Sequence, residues 1–129
     1  VLDQTGVYTV VAQSGYEGTL RFAIVAVADP VTLPGALDTD LVGVVETYGQ
    51  RVSYTFAGTA GEPVVFDVFG NSSGLGFTVT DPNGTLVWGP SQANSQPFVL
   101  PADGIYTLTA VGFSNEQGVA GAFRARVQT

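Results

Sequence analysis

The chemistry open to this chain is confined to oxygen. Its 129 residues include no histidine, cysteine, lysine or methionine, and four arginines face eleven carboxylates for a net charge of −7. A serine nucleophile would have no imidazole, thiolate or amine beside it to take its proton, which leaves carboxylates and tyrosines as the proton-moving groups. The acids fall mostly in turn-like stretches and no pair of them stands out, so an enzyme is not expected and no cofactor is implied. Calcium is the metal that suits an all-oxygen ligand set. Asp38-Thr39-Asp40 offers two carboxylates for it, which is short of a full shell and reads more simply as a pair of solvated turn residues. Tyr16, Tyr48, Trp88 and Phe113 lie beside turns, where a ring can stack on a ligand or seal the end of a sandwich. Asn71-Ser72-Ser73 and Asn83-Gly84-Thr85 are sequons in turn-like contexts.

The elements that must position these groups are strands. Seventeen glycines and seven prolines punctuate short runs rich in valine and threonine, the composition of an all-β chain. Strands are expected over residues 41–47, 51–57, 63–69, 74–80, 85–88, 96–100, 104–111 and 120–127. Val52, Tyr54 and Phe56 alternate inward, as do Val64, Phe66 and Val68, and Asp81-Pro82-Asn83-Gly84 is a strong hairpin turn. Asp67 points outward in this scheme, with Arg51 as its expected cross-strand ion partner. Eight strands in roughly 90 residues fit an antiparallel Greek-key or jelly-roll-like β-sandwich. Residues 29–40, with Pro30, Pro34 and Gly35, read as a linker.

Ahead of that linker the chain repeats its own ending. Val1-Leu2 through Gly6-Val7-Tyr8-Thr9-Val10-Val11-Ala12 echoes Val99-Leu100 through Gly104-Ile105-Tyr106-Thr107-Leu108-Thr109-Ala110, 98 residues further on. Gly18-Thr19-Leu20-Arg21 then echoes Gly121-Ala122-Phe123-Arg124. Gly-x-Tyr-Thr after a short polar turn is the pattern of a tyrosine corner, with Gly104 and Tyr106 in one copy and Tyr8 in the other. Residues 1–28 are therefore expected to form an additional N-terminal β-hairpin, a copy of the closing hairpin that ends the complete sandwich of residues 41–129. Where the C-terminal copy carries Thr109, Arg126 and Gln128, the N-terminal one carries Val11, Ala23 and Val25, so its second face should be covered as well.

Val52-Ser53-Tyr54-Thr55-Phe56, Ala60-Gly61-Glu62-Pro63-Val64-Val65-Phe66-Asp67, the Asp81–Gly84 turn, the Leu100–Leu108 corner and Gly121-Ala122-Phe123-Arg124 together resemble the bacterial pre-peptidase C-terminal (PPC) domain over about residues 38–129. That resemblance implies an extracellular, noncatalytic β-sandwich used for attachment or substrate targeting, and relatives that hold calcium.

Two readings are open. In the first, the chain is a subunit of a self-assembling extracellular fibre or surface layer, its partner another copy of itself, joined through the N-terminal hairpin with Val7, Val11, Ala23, Val25 and Val27 in the seam. In the second it is an accessory module of a secreted enzyme or adhesin that binds a protein or polysaccharide. Nucleic acid is excluded as a partner by the scarcity of cations, and no apolar run reaches the length of a membrane helix.

Overall fold

The computed structural model describes residues 5–11, 13, 15, 17–19, 21, 26–47, 49–71, 74–112 and 121–129. Among these described residues nine strands form: β1 Val31–Pro34, β2 Leu41–Val45, β3 Arg51–Gly58, β4 Pro63–Asn71, β5 Leu75–Thr80, β6 Leu86–Ser91, β7 Phe98–Val99, β8 Gly104–Gly112 and β9 Gly121–Gln128. They make a five-stranded sheet in the order β1-β3-β8-β5-β6 and a four-stranded sheet in the order β2-β9-β4-β7. Within these sheets β2 pairs with β9, β3 with β8, β4 with β7 and β5 with β6, all antiparallel. This nested pairing, with consecutive strands alternating between two sheets everywhere but at the β5–β6 hairpin, is the jelly roll.

Alternation builds the core. Val52, Tyr54 and Phe56 of β3, Val64 and Phe66 of β4, Tyr106, Leu108 and Ala110 of β8, and Phe123, Ala125 and Val127 of β9 are all buried. Phe66 lies against Phe77 and Trp88, with ring centroids 5.1 and 4.8 Å apart, and Phe77 meets Phe123 edge-on at 5.4 Å. The backbone closes tightly over this core: a Cβ on Gly43 would lie 2.6 Å from the Phe123 ring, and one on Gly58 2.4 Å from Leu100.

Three sequence expectations are corrected. Residues 29–40 are more than a linker, because Val31–Pro34 pairs in parallel with β3 through Val31↔Val52 and Leu33↔Tyr54. Its prolines are tolerated because an edge strand needs ladder bonds on one side alone. Second, Arg51 and Asp67 cannot pair across strands, since β3 and β4 lie in different sheets. Asp67 stands opposite Arg126 in register and accepts a hydrogen bond from the Gln128 amide.

Third, β8 and β9 do not form a hairpin. They are interior strands of opposite sheets, β8 between β3 and β5, β9 between β2 and β4. An N-terminal segment that copies them therefore copies an arch between sheets. None of the described residues from 5 to 30 is in a strand; positions 1–4, 12, 14, 16, 20 and 22–25 of the expected hairpin lie outside the described residues. The segment is fastened at its C-terminal end. The Ala28 amide donates to Thr47 Oγ1 at 2.8 Å, and the buried Gln50 side chain donates to the Asp29 carbonyl at 2.9 Å while accepting from the Glu46 amide.

Candidate functional site

The outer face of the four-stranded sheet brings cationic and apolar groups together. In β9 the alternation that buries Phe123, Ala125 and Val127 turns Ala122, Arg124, Arg126 and Gln128 outward. In β2 the same alternation exposes Val42 and Val44, 62% and 54% accessible, and register places Val42 opposite Arg124 and Val44 opposite Ala122. β4 contributes an aromatic ring through an irregularity. Val68 pairs with Ala125 and Gly70 with Arg124, so Phe69 is an extra residue in a bulge. Bulges re-aim side chains, and here the Phe69 ring is half exposed beneath both guanidiniums, at 5.2 Å from Arg126 and 5.9 Å from Arg124.

Asp40, just ahead of β2, holds the two arginines in place. Arg124 Nε donates to Asp40 Oδ2 at 2.8 Å and Arg126 Nε to Asp40 Oδ1 at 2.9 Å, each reinforced by a second bond from the same guanidinium. These bonds, Arg124's first and Arg126's second, hold the Asp40 carboxyl below its ordinary value of 3.8 against a smaller desolvation effect. Two further carboxylates stand close by, Asp67 opposite Arg126 in register and Asp38 within electrostatic reach of it, so the two cations are matched by acids on this face. Beside it lies a groove of about 390 Å³ lined by Val42, Gly70, Asn71, Ala122, Phe123 and Arg124. A surface of this make-up can grip: the guanidiniums are pre-aimed donors, and the aliphatic and aromatic groups offer area to bury.

Asp38, expected beside Asp40 as a calcium ligand, serves the chain's end. It sits at φ +60°, a left-handed conformation that aspartate tolerates. Its amide donates to the Val127 carbonyl, and its carboxylate accepts from the Thr129 amide and hydroxyl, both at 2.9 Å. The Thr129 amide, then its hydroxyl, lower the Asp38 pKa. Both candidate carboxylates thus point to partners within the chain, and among the described residues no group of three or more acids is placed to hold a metal ion.

The corner residues form a compact structural unit. The buried Tyr106 hydroxyl donates to the Ala102 carbonyl at 2.7 Å and accepts from the Ala102 amide at 3.0 Å. Gly104 lies at φ +141°, with Pro82 so near that a Cβ would approach it to 2.7 Å. Tyr8, its sequence counterpart, is half exposed. Trp88 does not present a face for ligand stacking: Phe66 packs on it and Phe98 stacks nearly parallel at 6.4 Å. Tyr16, Tyr48 and Phe113 lie outside the described residues. Of the expected seam, Val7, Val11 and Val27 are exposed, at 99%, 74% and 54%, while Ala23 and Val25 lie outside the described residues. Asn83 is exposed at the tip of its turn, whereas the Asn71 amide is engaged on both sides by the Leu75 backbone.

The Asp40–Arg124–Arg126–Phe69 cluster was missed in the sequence. Its partners are about 84 residues apart, and the register that unites β2 with β9 is not written in either strand. One signal was legible: arginine at alternate positions of a strand, in a chain with four cations.

No protein-family model and no curated protein matches the sequence. Among solved structures, the chain is similar to Aeromonas hydrophila PliG, a periplasmic inhibitor of g-type lysozyme, with TM-score 0.56 and 22% identity over 78% of this chain and 98% of that one. It is similar to the pre-peptidase C-terminal domain of Bacillus anthracis collagenase, with TM-score 0.57 and 15% identity over 74% of this chain and 93% of that domain. A PliG variant from Escherichia coli gives TM-score 0.51 and 13% identity over 78% and 99%. The fold is thus that of a PPC-like β-sandwich.

Proposed function

We propose that the chain is a noncatalytic β-sandwich module that works outside the cytoplasm and binds another protein through the outer face of β2, β9 and β4. The observation that carries this reading is the Phe69 ring held under Arg124 and Arg126 beside exposed Val42 and Val44. Arginine and aromatic residues are the types enriched where protein interfaces concentrate their energy, whereas isolated surface charges are not. The pair is already oriented by Asp40, so little side-chain freedom remains to be lost on binding. Its guanidinium donors and exposed apolar groups suit a partner that brings hydrogen-bond acceptors set among apolar side chains. A periplasmic lysozyme inhibitor and a collagenase domain share the fold, which supports a noncatalytic role and an extracytoplasmic setting. The fibre reading, by strand addition to an edge or by exchange of the closing strands, has no support from the solved structures that share the fold, and an arch between sheets cannot extend one edge as a hairpin would.

The test is surface plasmon resonance of g-type lysozyme and a panel of secreted hydrolases against the chain and its Phe69→Ser and Val42→Glu variants. At least one hydrolase is expected to bind, with affinity lowered about tenfold or more in each variant and an unchanged melting temperature. Binding to none of them, binding that both variants retain, or retention by an insoluble polysaccharide instead would overturn the reading.

A further inference from the structure

The N-terminal copy raises a problem of stoichiometry that the jelly roll makes sharp. Each chain contains one set of β1 to β7 but two versions of the closing strands. Residues 104–112 form β8, and Tyr106, Leu108 and Ala110 are buried in the core; the matching Tyr8 and Val10 are half exposed, and Val7 is almost fully so. The correspondence is position by position: Gly6 with Gly104, Tyr8 with Tyr106, Thr9 with Thr107, Val10 with Leu108, Ala12 with Ala110. It continues into β9, where Gly18 and Arg21 match Gly121 and Arg124.

No assembly of identical copies removes the surplus. If the N-terminal segment of one chain replaced β8 and β9 in another, the displaced strands would become the spare ones, and every chain would still carry one pair too many. Nor can the pair be added to a sheet edge as a unit, because its models are interior strands of two opposing sheets. What it fits is a sandwich made of β1 to β7 and missing its closing strands. Chain order says where that sandwich is. The copied segment stands immediately before β1, and the Tyr8-to-Tyr106 spacing is close to the length of one complete unit, which is the arrangement of successive units in a tandem array.

We infer that the segment beginning at Thr5 is the closing strand pair, equivalent to β8 and β9, of a second jelly roll of the same kind whose first seven strands lie ahead of it in the same polypeptide. Val7, Tyr8 and Val10 then enter the places of Ile105, Tyr106 and Leu108, and Tyr8 forms the tyrosine corner of that unit. The anchoring of Ala28 and Asp29 on Thr47 and Gln50 becomes the junction between successive units.

The test supplies the missing strands. Residues 29–102 are placed directly ahead of Thr5 in the full chain; because Thr5 aligns with Asp103, the junction reproduces the step from Ala102 into β8. Hydrogen exchange is expected to slow by about 100-fold or more at the Tyr8 and Val10 amides relative to the 129-residue chain, reaching the protection of Tyr106 and Leu108. Tyr8→Ala in the lengthened chain should abolish that protection and leave β8 of the original unit protected. The inference is overturned if the added residues stay unfolded, if they fold by capturing residues 103–128 while Tyr8 and Val10 exchange as before, or if Tyr8→Ala has no effect on them. Lysozyme or hydrolase binding is not part of this readout, so the outcome is independent of the proposed function.

Discussion

Tyr106 and Tyr8 share the Gly-x-Tyr-Thr pattern and have different surroundings, the one buried and the other half exposed. Replacing Tyr106 by phenylalanine leaves both polar groups of Ala102 without their partner, at about 1–3 kcal/mol, and should lower the melting temperature by several degrees in a thermal scan. At Asp40 and Asp38 the pH dependence has a definite sign. Both carboxyls are held below their ordinary value in the fold, so their stabilisation is complete above about pH 4 and is lost as the pH falls through the lowered folded values. Calorimetry from neutral pH downward should therefore show a falling melting temperature for the native chain, and for Asp40→Asn a lower starting point with a shallower acid limb. Alternation exposes Arg124 and Arg126 to the reader of the sequence; that they close on one aspartate in another strand is a property of register.

At the level of elements, the eight strands expected between residues 41 and 129 are the eight that form as β2 to β9, each shifted by a few residues at most. Alternating buried side chains and glycine-rich turns were sufficient to find them, since both act locally. The misreadings concern pairing. β1 has exposed residues throughout and two prolines at its borders, so nothing in its own sequence announces a strand; it is a strand because β3 offers it a free edge. The supposed closing hairpin failed for a similar reason, as adjacent strands with a short connection can pair or can cross between layers. Close approach within the sandwich gives a direct check of the β2–β9 ladder. In Gly43→Val the new side chain must displace the Phe123 ring, whose atoms lie 2.6–2.7 Å from the would-be Cβ. A loss of about 1–3 kcal/mol is expected, read as a lowered denaturant midpoint with an unchanged slope.

For the molecule as a whole, the fold class was legible because composition, turn chemistry and alternation agree, while the binding face was not, because it is assembled from β2, β4 and β9 at positions far apart in the chain. The nested order of pairing has a kinetic consequence. β3 can take β1 at once, but β2 must wait for β9, and β3 for its antiparallel partner β8, so the ladders that complete each sheet close the longest loops. Chains dominated by such distant pairings fold in milliseconds to seconds, orders of magnitude more slowly than helical bundles of equal size. Stopped-flow refolding in that range is expected, with a microsecond phase carrying the full signal as the contrary result. A ribosome that has released residues 1–103 has delivered seven strands, among them the β1–β3, β4–β7 and β5–β6 pairs, but neither β8 nor β9, the strand that joins the two halves of each layer. The nascent chain must therefore travel with both layers split and their apolar faces uncovered until its last fifth emerges, and whatever escorts it has to hold on until then.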